Sequence, residues 1–107
     1  MVSKNTPIYL ITVMTDLKPD ERFMADVGCT RAIAFYYSLS DAFETVINNT
    51  GDIWETCYDY AVIEEVEPGL YPYGHNRWFF KYDINTGLYN VIDEPDYIKH
   101  YVNFTIG

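Results

Sequence analysis

The residues Ser38–Val66, SLSDAFETVINNTGDIWETCYDYAVIEEV, hold a helix with both ends marked, an acidic turn and the strongest strand of the chain. Ser38 is an N-cap residue, its hydroxyl able to accept from the free N–H of Asp41, and Asp41 adds negative charge at the positive end of the helix dipole. Leu39, Ala42, Phe43, Val46 and Ile47 then recur at the spacing that makes one apolar stripe on a helix. Asn48-Asn49-Thr50-Gly51 stops it, because Asn and Gly tolerate the left-handed conformation of a C-terminal cap. Asp52 with Glu55 three residues later reads as a short helical turn carrying Ile53 and Trp54 inward. Tyr58 to Val66 is rich in β-branched and aromatic residues and reads as a strand. Tyr58, Tyr60, Val62, Glu64 and Val66 share one face; Asp59, Ala61, Ile63 and Glu65 share the other. Both faces are apolar in the middle, so the strand is expected at the centre of a sheet, with Glu64 and Glu65 near its exposed end. Pro68-Gly69 closes it with a turn.

Working outward, Pro7 to Thr15 reads as a first strand, Asp16 to Gly28 as a polar loop or short helix, and Cys29 to Tyr37 as a second strand running into the Ser38 helix. Downstream, Arg77 to Asp83 and Leu88 to Ile92 form a hairpin around Ile84-Asn85-Thr86-Gly87. Asp93-Glu94-Pro95-Asp96 breaks the pattern and opens a helical turn through Tyr97 and Ile98. Tyr101 to Ile106 reads as a sixth, edge strand. The expected fold is α+β, a mainly antiparallel sheet of about six strands with one main helix on one face and one or two short helical turns. The uncovered face is the expected interaction surface, a candidate dimer seam.

At 107 residues the chain makes a single domain, 1–107, with one core. Eleven tyrosines and an ordinary charged share describe a folding chain, not an acidic tail. The formal net charge of −9 argues against direct nucleic-acid binding, which needs a basic face, and suits docking on a basic partner. The opening MVSKNTPIYLITVMTD has too short an apolar run for a signal peptide, and no stretch is long enough to cross a bilayer. A cytoplasmic location and no membrane contact are therefore expected. Cys29 and Cys57 form no C-x-x-C pair and read as buried reduced thiols.

His75, His100, Cys29 and Cys57 lack the paired spacings of a zinc site, and Asp52, Glu55 and Asp59 lack the rhythm of a calcium loop, so no metal is expected. There is no nucleophile motif and no Gly-rich phosphate cradle, so neither an enzyme nor a cofactor is expected. Arg31 and Arg77, however, interrupt hydrophobic strand sequence. Each needs a carboxylate (Glu55, Asp59 or Glu64) or a ligand phosphate, because burying it unpaired is too costly. A phosphate clamp beside aromatic planes is the sharper reading, with Trp54, Tyr58, Tyr60, Trp78 and Phe80 as the planes.

VINNTGDIWETCYDYAVIEEVEPGLYP, with RWFFKYD and the terminal VNFTIG, resembles a family of small, mostly uncharacterised proteins of Firmicutes and their phages. The order of strands and helices also resembles the phage Thoeris anti-defence sponges. The second resemblance implies a non-enzymatic homo-oligomer that sequesters a small cyclic nucleotide signal of the cyclic ADP-ribose type, in pockets built by two protomers. The ligand residues of that family do not align residue by residue with this chain, so Arg31, Arg77, Trp78, Phe80, Tyr58 and Tyr60 stand as candidates on the physical argument alone. The alternative is an acidic inhibitor that binds a host protein such as a nuclease, as an anti-CRISPR-like mimic of nucleic acid.

Overall fold

The computed structural model describes residues 7–19, 21, 25–50, 58–66 and 74–95. In chain order these form β1 (Ile8–Met14), β2 (Leu17–Pro19), β3 (Ala25–Val27), β4 (Thr30–Tyr36), helix α1 (Leu39–Ile47), β5 (Tyr60–Val66), β6 (Gly74–Asp83) and β7 (Leu88–Ile92). Five strands make one sheet in the order β4-β1-β5-β6-β7, with every neighbouring pair antiparallel. This is the α+β architecture expected from the sequence, with β5 in its middle. The expected sixth strand at Tyr101–Ile106, the turn around Asp52 and the turn through Tyr97 and Ile98 lie outside the described residues, as do Trp54 and Cys57.

Helix α1 forms where the apolar spacing places it. Ser38 holds an extended backbone and its Oγ accepts from the Asp41 N–H at 3.5 Å. At the other end Asn49 adopts φ +49°, the left-handed turn that Asn tolerates. Its side-chain amide donates to the Gly87 carbonyl at 3.2 Å, tying the helix end to the β6–β7 hairpin. Ala42 and Val46 are fully buried, packed in one cluster with Ile11, Val13, Ala61, Ile63, Phe80 and Tyr89. The hairpin itself turns as its sequence predicts: Gly87 takes φ +72°, and its N–H donates to the Asp83 carbonyl at 2.8 Å.

Four expectations need correction. First, the stretch 16–28 is not a plain loop, since Leu17 opposes Val27 and Pro19 opposes Ala25 in a two-stranded ribbon. Strands of three residues are too short to show an alternation, and this pairing is set from outside. Thr15 N–H donates to the Cys29 carbonyl, Gly28 N–H donates to the Asp16 carbonyl, both at 3.0 Å, and Cys29 N–H donates to Thr15 Oγ1 at 2.9 Å. These bonds carry the β1–β4 ladder on into β2 and β3. Gly28 is needed at this close approach, because a Cβ there would lie 2.1 Å from Thr15 Oγ1.

Second, Cys29 is exposed rather than buried, at the start of an edge strand. Third, Glu64 is not at an exposed end but fully buried, opposite Leu10 on one side and Arg77 on the other. Fourth, the sheet face away from α1 is no open seam at its centre. Met14, Val62, Val66 and Phe79 on that face are buried within the single chain, together with Thr12 and Glu64.

Candidate ligand site

The ends of three adjacent strands meet around a depression of about 380 Å³, lined by Thr15 and Asp16 after β1, Asp59 and Tyr60 at the start of β5, Lys81 and Tyr82 on β6, and Ile84 of the hairpin. Register brings these groups together. Tyr60 lies opposite Lys81, and the Tyr82 N–H donates to the Asp59 carbonyl at 2.8 Å, so the entry to β5 is pinned to β6. The Lys81 ammonium sits 5.8 Å from the Tyr60 ring centroid, a cation–π distance, and remains exposed. The Tyr82 ring is held edge-on against Tyr89, with centroids 5.5 Å apart, and the Tyr89 hydroxyl donates to the Tyr58 carbonyl. Asp16 accepts from the Leu17 N–H at 2.9 Å and pairs with Lys18 at 3.2 Å.

The residues lining the depression include two tyrosines, one lysine and two aspartates. Tyrosine faces stack on flat heteroaromatic rings. A lysine supplies a mobile positive charge for phosphate. Carboxylates accept from hydroxyls and from amino groups, the same role that an acidic residue plays toward ribose in dinucleotide sites.

Of the ligand candidates named from the sequence, Tyr60 alone lines this depression; Asp59, which the sequence offered only as a carboxylate partner for an arginine, lines it too. Arg31 is exposed on β4 opposite Val13, a residue of the helix-side core. Arg77 lies on the other face, its Nε 3.5 Å from Glu64 Oε2, with the two side chains 10% and 0% exposed. Two strands and the thickness of the sheet separate the arginines within one chain. The carboxylate partner foreseen for Arg77 is there in Glu64. Trp78 packs at the margin of the core against Tyr9 and Phe43, at centroid distances of 6.4 and 6.1 Å. Phe80 is wholly buried beneath Phe43. Tyr58 is half-buried against the helix-side core. Trp78, Phe80 and Tyr58 are thus packing residues.

Lys81 and Tyr82 escaped the sequence reading. The signal was present in RWFFKYD, where a third basic residue interrupts apolar strand sequence as Arg31 and Arg77 do. Asp16 carried no signal of its own, and Asp59 was read only as an arginine partner, since both reach the site through strand ends that only the register aligns.

Near the far end of β1 the Tyr9 hydroxyl donates to Glu65 Oε2 at 3.0 Å, and the Asn76 amide donates to Glu65 Oε1 at 2.6 Å. Desolvation, then the bond to Glu65 and then the Glu65 charge raise the Tyr9 pKa above the ordinary tyrosine value. Among the described residues no three His, Cys, Asp or Glu side chains gather as a metal site, and no helix is long and apolar enough to cross a membrane.

No family model matches this chain, and no curated protein or solved structure matches it either.

Proposed function

We propose that the protein binds and sequesters a small nucleotide signal, of the cyclic ADP-ribose type, without transforming it, as a phage-type anti-defence protein in the host cytoplasm. The observation that supports this reading is a depression of ligand size whose lining includes Tyr60, Lys81, Tyr82, Asp16 and Asp59. In this reading a base stacks against tyrosine, a phosphate meets Lys81, and ribose hydroxyls donate to Asp59 or Asp16. The site moves from the arginines named in the sequence to Lys81, because the Arg77 charge is already met by Glu64.

Titration calorimetry against cyclic ADP-ribose isomers and cyclic di- and trinucleotides tests it, with the ligand recovered afterwards. Binding with intact recovery is expected. Lys81→Ala, an exposed change that leaves the fold alone, should weaken binding by about tenfold, which corresponds to ~1.4 kcal/mol. Cleaved ligand, or affinity unchanged in Lys81→Ala, overturns the reading.

A second reading is favoured by the outer surface of α1, where Asp41 and Glu44 are exposed, in a chain of net charge −9. An acidic inhibitor of a basic host protein, such as a nuclease, would dock through such carboxylates. Tight binding to a purified nuclease that weakens with salt and with Glu44→Lys, alongside no nucleotide binding, would favour it over the first.

A further inference from the structure

Strand β4 is an edge of the sheet, with β1 as its neighbour among the described strands. It is also the most exposed strand of the sheet. Ile33, Phe35 and Tyr37 are 38%, 53% and 58% accessible, and the Phe35 and Tyr37 rings meet edge to face at 5.9 Å. An accessible aromatic ridge beside an edge strand is the combination that soluble proteins avoid unless something pairs with it.

The charge pattern says what kind of partner fits. The chain carries sixteen carboxylates, yet none lies between Gly28 and Ser40, and Arg31 is the one ionic residue of that stretch. The opposite edge, β7, differs. Leu88 and Val91 are exposed there too, but Asp83 precedes the strand and exposed Asp93 and Glu94 follow it. Two copies of an acidic protein repel each other least where carboxylates are missing. β7 has carboxylates at both ends, whereas the second half of β4 has Arg31 before it and has carboxylates, Asp41 and Glu44 of α1, on one side alone.

The first half of the β4 edge is blunted. The register shifts by one residue between Ile11 and Thr12, which leaves Ile33 as an extra, bulged residue, and Arg31 adds a charge. The second half is in regular register, with Ala34, Phe35 and Tyr36 opposite Ile11, Leu10 and Tyr9, and it carries no charge.

We infer that this half of β4 pairs antiparallel with its own copy in a second molecule, about a two-fold axis near Tyr36. Phe35 of each copy then lies across from Tyr37 of the other. Aromatic pairs directly opposite on one face are among the favourable cross-strand contacts. The same strand edge meeting itself closes the assembly at two copies. The inference is independent of the ligand reading and names a seam at the sheet edge in place of the sheet face.

Sedimentation equilibrium of the full chain tests it. The apparent mass should rise with concentration from 12.5 kDa toward twice that value. Because the copies repel through their net charge, dimerisation should strengthen as salt is raised from ~0.05 to ~0.5 M. Phe35→Glu should remain at the monomer mass with its circular dichroism unchanged and a melting temperature close to that of dilute, monomeric wild type, since Phe35 is 53% accessible. Hydrogen exchange should slow at residues 34–37 as wild-type concentration rises. A wild type that stays monomeric, a Phe35→Glu dimer, or a dimer that dissociates with added salt overturns the proposal. Nucleotide titration of the monomeric Phe35→Glu variant separates the two readings: retained affinity supports a seam that is not part of the ligand site, and lost affinity overturns their independence.

Discussion

Arg31 and Arg77 stand in sequences that look alike, each a cation interrupting apolar strand residues, yet they meet opposite fates. Arg77 lies on β6, next to the central strand, and its guanidinium is nearly buried against the fully buried Glu64. Arg31 lies on the edge strand β4 and is exposed, with no ion pair among the described residues. The lesson is that strand position, not strand sequence, sets the electrostatic demand on a side chain. In the middle of a sheet both neighbours and both faces withdraw solvent, so a charge must find a partner. At an edge, water answers the same charge at little cost.

That contrast can be broken by mutation. The largest effect is expected from Glu64→Ala, which removes the buried carboxylate 3.5 Å from the nearly buried Arg77 and should cost about 3–5 kcal/mol in a urea unfolding experiment. Arg77→Ala should cost a similar amount, and the double variant should cost less than the sum, because each single change removes the charge that the other residue faces across the strands. Additive losses would mean that the pair is not a unit. Next comes Gly28→Ala, at the junction of the β1–β4 ladder with β2 and β3. The clash with Thr15 Oγ1 should cost ~1–3 kcal/mol, and Thr15→Ala in the same chain should recover part of it. If Gly28→Ala were neutral, the edge would be more pliant than the structure implies.

A smaller effect concerns pH. The Tyr9 pKa is raised in the folded state, so folding favours the protonated phenol. Stability should therefore hold below the ordinary tyrosine value of about 10 and fall as pH climbs above it toward the raised value. Tyr9→Phe should flatten that alkaline decline, as followed by melting temperature against pH. The smallest effect is expected from Arg31→Ala, within about 0.5 kcal/mol of wild type in the same unfolding experiment. A loss as large as that of Arg77→Ala would erase the comparison between centre and edge.

Much of the scaffold was readable in the residues. The helix ends at Ser38 and Asn49, the central place of β5, which begins at Tyr60 rather than at the expected Tyr58, and the Gly87 turn each follow from a local rule that tertiary structure reinforces. What local pattern missed was set by register. Glu64 reads as a solvent-facing carboxylate because it adjoins Glu65, but successive strand residues face opposite ways, and opposite Arg77 it became buried. The β2–β3 ribbon owes its pairing to bonds from Thr15 and Cys29, not to any alternation of its own. Of the candidate site, Tyr60 was legible as an aromatic on an accessible strand face. Trp78 and Phe80 were misleading because alternation turns both toward α1. Lys81 and Tyr82 gained significance only when β6 was aligned with the start of β5.

The pairing of β1 with β5 has a kinetic side. Ile8 lies opposite Val66 and Met14 opposite Tyr60, so two of the three inner strands of the sheet, β1 and β5, come from distant parts of the chain. A β1–β4 pair and the β6–β7 hairpin can each form from nearby sequence, but joining them requires closing the long loop that contains α1. Folding should accordingly be limited by this one meeting, in the slower range of small domains with non-local strand pairing. As the chain leaves the ribosome, Leu10 and Thr12 wait for partners that are synthesised much later. Until β5 arrives, the apolar strand β1 stays open on the side that will become the middle of the protein.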